Sequence, residues 1–275
     1  MRLRGHAFAW GQRTYLMAIV NVTPDSFSGD GRTHVESAID YAVEQWNAGA
    51  DMLDIGGEST RPGSNTIDEA TERSRVLPVI AGVRERLPHA VISVDTYKPA
   101  VARAAHAAGA DIINSVWGAP DELLAVAAEL EMPLSVMHNQ HGTHYDGDVV
   151  TAVTSYLQDS ADRALRFGLS PERIMLDPGI GFGKGPNHNI RVLHGLSRIV
   201  ALGFPTLLGT SRKSTIGKLT GREPHERIYG TAATTALGIA AGIDIVRVHD
   251  VAQQRDVISV SDAIVRDWRP SGWTG

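Results

Sequence analysis

The chain contains no cysteine, so no disulfide, thiolate nucleophile or cysteine-held zinc is open to it. Basic charge is in short supply: 26 Lys and Arg face 31 Asp and Glu, a net charge of -5. That balance argues against a nucleic acid or an anionic membrane as the main partner. Long apolar runs are missing too. The uncharged stretch from Gly230 to Ile243 is too short and too rich in Thr and Gly to span a bilayer. The opening Met1-Arg-Leu-Arg-Gly-His-Ala-Phe-Ala-Trp10 has no apolar core long enough for a secretory signal. A cytoplasmic protein without nucleic-acid or membrane partners is the expectation. What is present, 43% hydrophobic and 21% charged residues over 275 positions, suffices to bury one large core.

The stretch Arg173-Ile-Met-Leu-Asp-Pro-Gly-Ile-Gly-Phe-Gly-Lys184 shows the organising pattern. A short apolar run, read as a buried strand, ends in Asp177-Pro178-Gly179, where proline and glycine stop any ladder. A carboxylate is thereby set at the carboxyl end of a strand. The unit recurs in Tyr15–Val20 before Asn21, Met52–Ile55 with Asp54, Val91–Val94 before Asp95, Ile112–Ile113 before Asn114, Pro133–Met137 before His138, Thr206–Gly209 before Thr210-Ser-Arg-Lys213, and Ile245–Val246 before Arg247-Val-His249. Helices are expected near 67–86, 98–108, 121–131, 149–167, 187–202, 225–241 and 251–267. Another starts behind a Thr33-x-x-Glu36 capping box. Three joints repeat glycine before an acidic strand start: Ala48-Gly-Ala-Asp51, Ala108-Gly-Ala-Asp111 and Ala241-Gly-Ile-Asp244.

Eight such units, with no linker between them, predict a single (β/α)8 TIM barrel over residues 1–275. A short hairpin over 3–14, turning near Gly11-Gln12, precedes it. A doubly wound open sheet is the alternative. In a barrel the active site lies at the carboxyl ends of the strands, and nearly every strand here ends in a polar residue. Carboxylates and amides suit a nitrogen-rich ring, and cations suit a phosphorylated group.

The segments Asn21-Val-Thr-Pro-Asp-Ser-Phe-Ser, Asp54-Ile-Gly-Gly-Glu-Ser-Thr-Arg-Pro-Gly63, Ser93-Val-Asp-Thr96, Leu176-Asp-Pro-Gly-Ile-Gly-Phe-Gly-Lys184, Ser211-Arg-Lys-Ser214 and Arg247-Val-His-Asp250 resemble, in order and through the whole chain, those of the dihydropteroate synthases of the pterin-binding superfamily. The resemblance implies condensation of 6-hydroxymethyl-7,8-dihydropterin pyrophosphate with 4-aminobenzoate in folate synthesis, with loss of pyrophosphate. It implies pterin contacts from Asp95, Asn114, Asp177 and Lys213. Met137 and Phe182 are either walls of that pocket or plain core. It further implies 4-aminobenzoate contacts from Phe27, Thr60, Pro62, Ser211 and Arg212, although Phe27 is also readable as an ordinary buried aromatic. Asn21, Arg61, Arg247 and His249 would bind pyrophosphate, with Asn21 also a ligand of magnesium, the implied cofactor. Lys213, Arg247, His249 and Asp95 are the implied catalytic set, and a homodimer the implied assembly. Ser115 stands where the family usually has an aspartate, and Asn139 where an apolar residue is common; both adjoin the pocket. A pterin-binding paralogue without synthase activity, or a methyltransferase-type pterin-binding barrel, are the alternatives. The intact phosphate-side set Asn21, Arg61, Arg247 and His249 favours the synthase over the first, and the Ser-Thr-Arg-Pro loop and Ser-Arg-Lys turn favour it over the second.

Overall fold

Each of the eight apolar strands has two faces to bury, because side chains alternate with a period of two. A computed structural model, describing residues 1–23, 31–59, 66–270 and 272–274, shows both faces filled by closing the sheet on itself. The strands are β3 (Tyr15–Asn21), β4 (Met52–Gly56), β5 (Ile92–Asp95), β6 (Ile112–Ser115), β7 (Leu134–Met137), β8 (Ile174–Asp177), β9 (Leu207–Leu208) and β10 (Ile245–Val248). All pair in parallel in the order β8-β7-β6-β5-β4-β3-β10-β9, and a bridge between Leu176 and Thr206 joins the two ends. Around them run α1 (Gly31–Asn47), α2 (Glu69–Arg86), α3 (Pro99–Ala108), α4 (Asp121–Glu129), α5 (Val149–Arg166), α6 (Pro186–His194), α7 (Leu196–Val200), α8 (Ser214–Thr220), α9 (Ile228–Ala241) and α10 (Val251–Val265). This is the expected (β/α)8 barrel, and the open-sheet alternative falls.

One strand parity, including Leu16, Ala18, Leu53, Ile92, Ile113, Leu134 and Leu176, packs outward against the helices. The opposite parity meets inside the barrel as Tyr15, Met17, Met52, Val91, Ile112, Met175, Leu207 and Ile245. The amino-terminal hairpin, β1 (Arg2–Leu3) with β2 (His6–Ala7), leads into the plug that covers this floor. Phe8 and Trp10 pack on Tyr15 with ring centroids 4.9 and 5.3 Å away. The bottom of the barrel is therefore closed by apolar packing, and ligands are left the other end.

The three glycine joints behave as the sequence predicts, since Gly49, Gly109 and Gly242 take φ of 103°, 113° and 101°. The aspartates behind them reach sideways to the neighbouring strand. Asp51 accepts the Leu16 amide at 2.8 Å, Asp111 the Ile92 amide at 2.9 Å and Asp244 the Thr206 amide at 3.0 Å. Each supplies a partner to an amide beyond the regular ladder.

Four local expectations need correction. The hairpin turns at Arg4-Gly5, with φ of 49° and 86°, because both residues enter the left-handed region that a tight two-residue turn demands. Helix α1 begins at Gly31, so Thr33 lies inside its first turn and not at the cap, while Glu36 pairs with Arg86 at 2.6 Å. The helix expected over 187–202 breaks at Gly195 into α6 and α7. Helix α8 follows the Ser-Arg-Lys turn directly, where no helix was expected.

Candidate active site

Two residues beyond the apolar floor, the inward parity turns polar. It carries Asp54, Ser93, Asn114, Ser135, Asp177 and Arg247, then Asn21, Asp95, Met137 and His249 at the rim. The strand-end residues singled out from sequence, His138 excepted, thus converge on one barrel mouth. The centre of the cluster is Asp54, which is wholly buried. Its Oδ2 accepts from Arg247 Nε at 2.6 Å and from Asn114 Nδ2 at 2.9 Å. Arg247 Nη2 also donates to Asp95 Oδ2 at 3.0 Å, so one guanidinium serves two carboxylates. Burial, and next the charge of Asp54, push the Asp95 carboxyl up to about 8 against the pull of Arg247.

Three acceptor oxygens of this cluster, Asp54 Oδ1, Asp95 Oδ1 and Asn114 Oδ1, are buried without a hydrogen-bond donor among the described residues. The hydroxyls of Ser93 and Ser135 share that state. A buried acceptor left unpaired costs about 1–3 kcal/mol, so these oxygens call for N–H or O–H donors from water or a ligand.

Across the mouth, Asp177 Oδ1 accepts the Gly179 amide at 2.7 Å. Burial holds this carboxyl above its ordinary range, against the favourable charge of Lys213 and the Gly179 amide. Gly179 has φ of 66°, and a Cβ there would stand 2.0 Å from the His138 carbonyl oxygen, so only glycine fits. Lys213 sits at the N-cap of α8, its Nζ donating to the Ile180 carbonyl and lying 4.2 Å from the centroid of the Phe182 ring. Burial pulls the Lys213 amine down to about 8, although Asp177 opposes the shift. Phe182 is partly buried with Lys213 over its ring, and Met137 is buried on the inward face.

At the rim, the Ser211 hydroxyl accepts the His249 amide at 3.1 Å and lies 2.9 Å from His249 Nδ1. Arg212 takes φ of 57° and turns its guanidinium onto Asp250, with Nε at 3.0 Å from the carboxylate. Asn21 ends β3 half-buried, in register with Gly56. Phe27, Thr60, Arg61 and Pro62 lie outside the described residues.

His138 is the strand-end residue that stays out of the mouth. It shares the outward parity of Val136, and its ring meets Tyr145 and Tyr156. Sequence reasoning also gave no part to Asp54 as a hub or to Lys184, which is buried with its amine 2.8 Å from His138 Nδ1. The strand alternation that predicts Asp177 predicts Asp54 equally well, but nothing linear pairs residue 138 with 184.

Comparison with known proteins agrees with this geometry. The family described as pterin binding enzyme matches residues 17–249. A dihydropteroate synthase of Synechocystis sp. is 44% identical over 273 residues, covering 95% of this chain and 93% of that one. A solved dihydropteroate synthase of Clostridium difficile, in the presence of pteroic acid, superposes with a TM-score of 0.92 at 45% identity, covering 94% of this chain and 100% of that one. A second, from Xanthomonas albilineans with 4-aminobenzoic acid, gives 0.88 at 44%, covering 92% and 94%.

Proposed function

This chain belongs to the pterin-binding enzymes and, among them, to the dihydropteroate synthases, and from that premise we propose how its residues divide the work. The reaction joins 6-hydroxymethyl-7,8-dihydropterin pyrophosphate to 4-aminobenzoate. The methylene C–O bond breaks with its electron pair leaving on pyrophosphate, the amine nitrogen bonds to the same carbon, and the amine proton is released.

The observation that carries the pterin reading is the set of donor-free oxygens on Asp95 and Asn114 above the Asp54 hub. A pterin offers amino and ring N–H donors in one plane, the complement of such a set. Asp95, Asn114 and Asp177 hold the ring, with Met137 and Phe182 as its walls and Lys213 at its edge. Arg247, balanced by Asp54 and Asp95, faces the pyrophosphate with Asn21, Arg61 and His249, and Ser211 fixes the His249 ring. Ser211, Phe27, Thr60 and Pro62 form the 4-aminobenzoate side. Arg212 joins them through its stem and backbone, since its guanidinium is committed to Asp250. The electron-rich pterin carries the developing methylene cation, so no protein nucleophile enters.

Magnesium suits this donor set. The family resemblance assigns magnesium the amide oxygen of Asn21, which ends β3 half-buried at the rim. An ion that keeps its water and shares oxygens with phosphates matches that arrangement, and it would neutralise charge on the leaving group. A homodimer is supported by the outer face of α9 and α10, where Tyr229, Leu237 and Ile264 are 85%, 71% and 79% exposed. A cytoplasmic setting is compatible with the cysteine-free composition. Among the described residues no helix is long and apolar enough to cross a membrane.

Calorimetry with a non-reactive pterin tests the pterin reading. Asp177→Asn turns an acceptor into a donor facing the ring's own donors and should weaken binding about 30- to 1000-fold, the equivalent of about 2–4 kcal/mol. An affinity within about threefold of wild type, the scale of a lost surface contact, would make Asp177 a turn residue only.

A further inference from the structure

Lys184 is a buried amine that none of the roles above uses. Its Nζ donates to the carbonyls of Gly179 and Phe182, both at 3.0 Å, and lies 2.8 Å from His138 Nδ1. A buried amine needs acceptors on every side, and this one takes them from both ends of the glycine loop. The same loop holds Lys213 in two ways, through the Ile180 carbonyl between the two clamped ones and through the ring of Phe182 itself. Outside the loop the partners are neutral: Tyr145 donates to the Gly183 carbonyl at 2.9 Å, and Asn189 accepts the Gly181 amide at 2.8 Å.

We propose that Lys184 is a positioning residue: by gathering the Gly179 and Phe182 carbonyls against His138, it fixes the loop that places Lys213 beside Asp177 at the pterin. The charges fit. Burial first, and Lys184 next, lower the His138 ring to about 4, so the imidazole is neutral and offers Nδ1 as an acceptor. The clamp works through backbone carbonyls and never touches the ligand. Its loss is therefore felt mainly through Lys213, which the loop holds twice, and less through Phe182 and the Gly179 amide on Asp177.

That dependence is measurable, and it rests on the pterin reading of the site. Lys184→Met keeps the stem and removes the donors. Affinity for a non-reactive pterin is read by calorimetry on wild type, Lys184→Met, Lys213→Ala and the double variant, each with a melting curve. Lys184→Met should weaken binding about tenfold beside an intact Lys213, and no more than about threefold where Lys213 is already alanine. An equal loss in both backgrounds, or a loss within threefold throughout, overturns the proposal. Should Lys184→Met not fold, Lys184→Gln takes its place in the same cycle. If neither folds, Lys184 serves stability alone and the proposal is overturned. A wild-type protein that binds no pterin would overturn instead the reading on which the inference rests.

Discussion

Replacing Asp95 by asparagine should move stability and pterin affinity in opposite directions. In the wild type, Asp54 and Asp95 share the single guanidinium of Arg247, and burial drives the Asp95 carboxyl up to about 8 from an ordinary 3.8. A folded-state value above the unfolded one means that stability is complete below about pH 4 and is lost as pH rises toward 8. At 1.36 kcal/mol per pH unit, the ceiling on that loss is about 6 kcal/mol. Asparagine cannot ionise, and it leaves Arg247 paired one-to-one with Asp54. It also removes a charge-assisted partner from Arg247, which takes back part of the gain. The net expectation at pH 9 is about 1–3 kcal/mol in favour of the variant, or a Tm higher by about 2–10 °C. Below about pH 4 both side chains are neutral in the folded and the unfolded chain and the advantage should vanish, so at pH 5 it should be well below its value at pH 9. Pterin affinity should fall about 30- to 1000-fold, because an acceptor facing the ring's donors is lost. Melting curves at pH 5 and 9, with pterin calorimetry, read both effects. Equal Tm at pH 9 together with unchanged affinity would refute the reasoning at once.

Two further outcomes follow from the site and the surface. Chelating divalent cations should abolish turnover while leaving pterin binding intact, and Asn21→Ala should lower kcat/KM by about 10- to 1000-fold; full activity in excess chelator would remove Asn21 from the metal. Leu237→Glu, on the exposed apolar face of α9, should convert a dimer to monomers in light scattering, and a monomeric wild type would dismiss that interface.

The strands and their polar ends were legible in the sequence because a period of two needs no tertiary knowledge. The same alternation that puts Met175 in the floor puts Asp177 above it. Asp54 was legible as a strand end but not as a hub, since its partners Asn114 and Arg247 stand 60 and 193 residues away. The pairings of Lys184 with His138 and of Arg212 with Asp250 escaped for the same reason, being separated by 46 and 38 residues. The supposed cap at Thr33 shows the converse failure. A Thr-x-x-Glu pattern is cheap to match by chance, and Glu36 was claimed by Arg86 from α2.

The most direct test of the central claim is condensation itself. The purified chain is mixed with 6-hydroxymethyl-7,8-dihydropterin pyrophosphate, 4-aminobenzoate and magnesium, and 7,8-dihydropteroate and pyrophosphate are followed together. Formation of the two in equal amounts, dependent on both substrates, is the predicted result. Pterin binding without any dihydropteroate would contradict the account and make the barrel mouth a binding site alone.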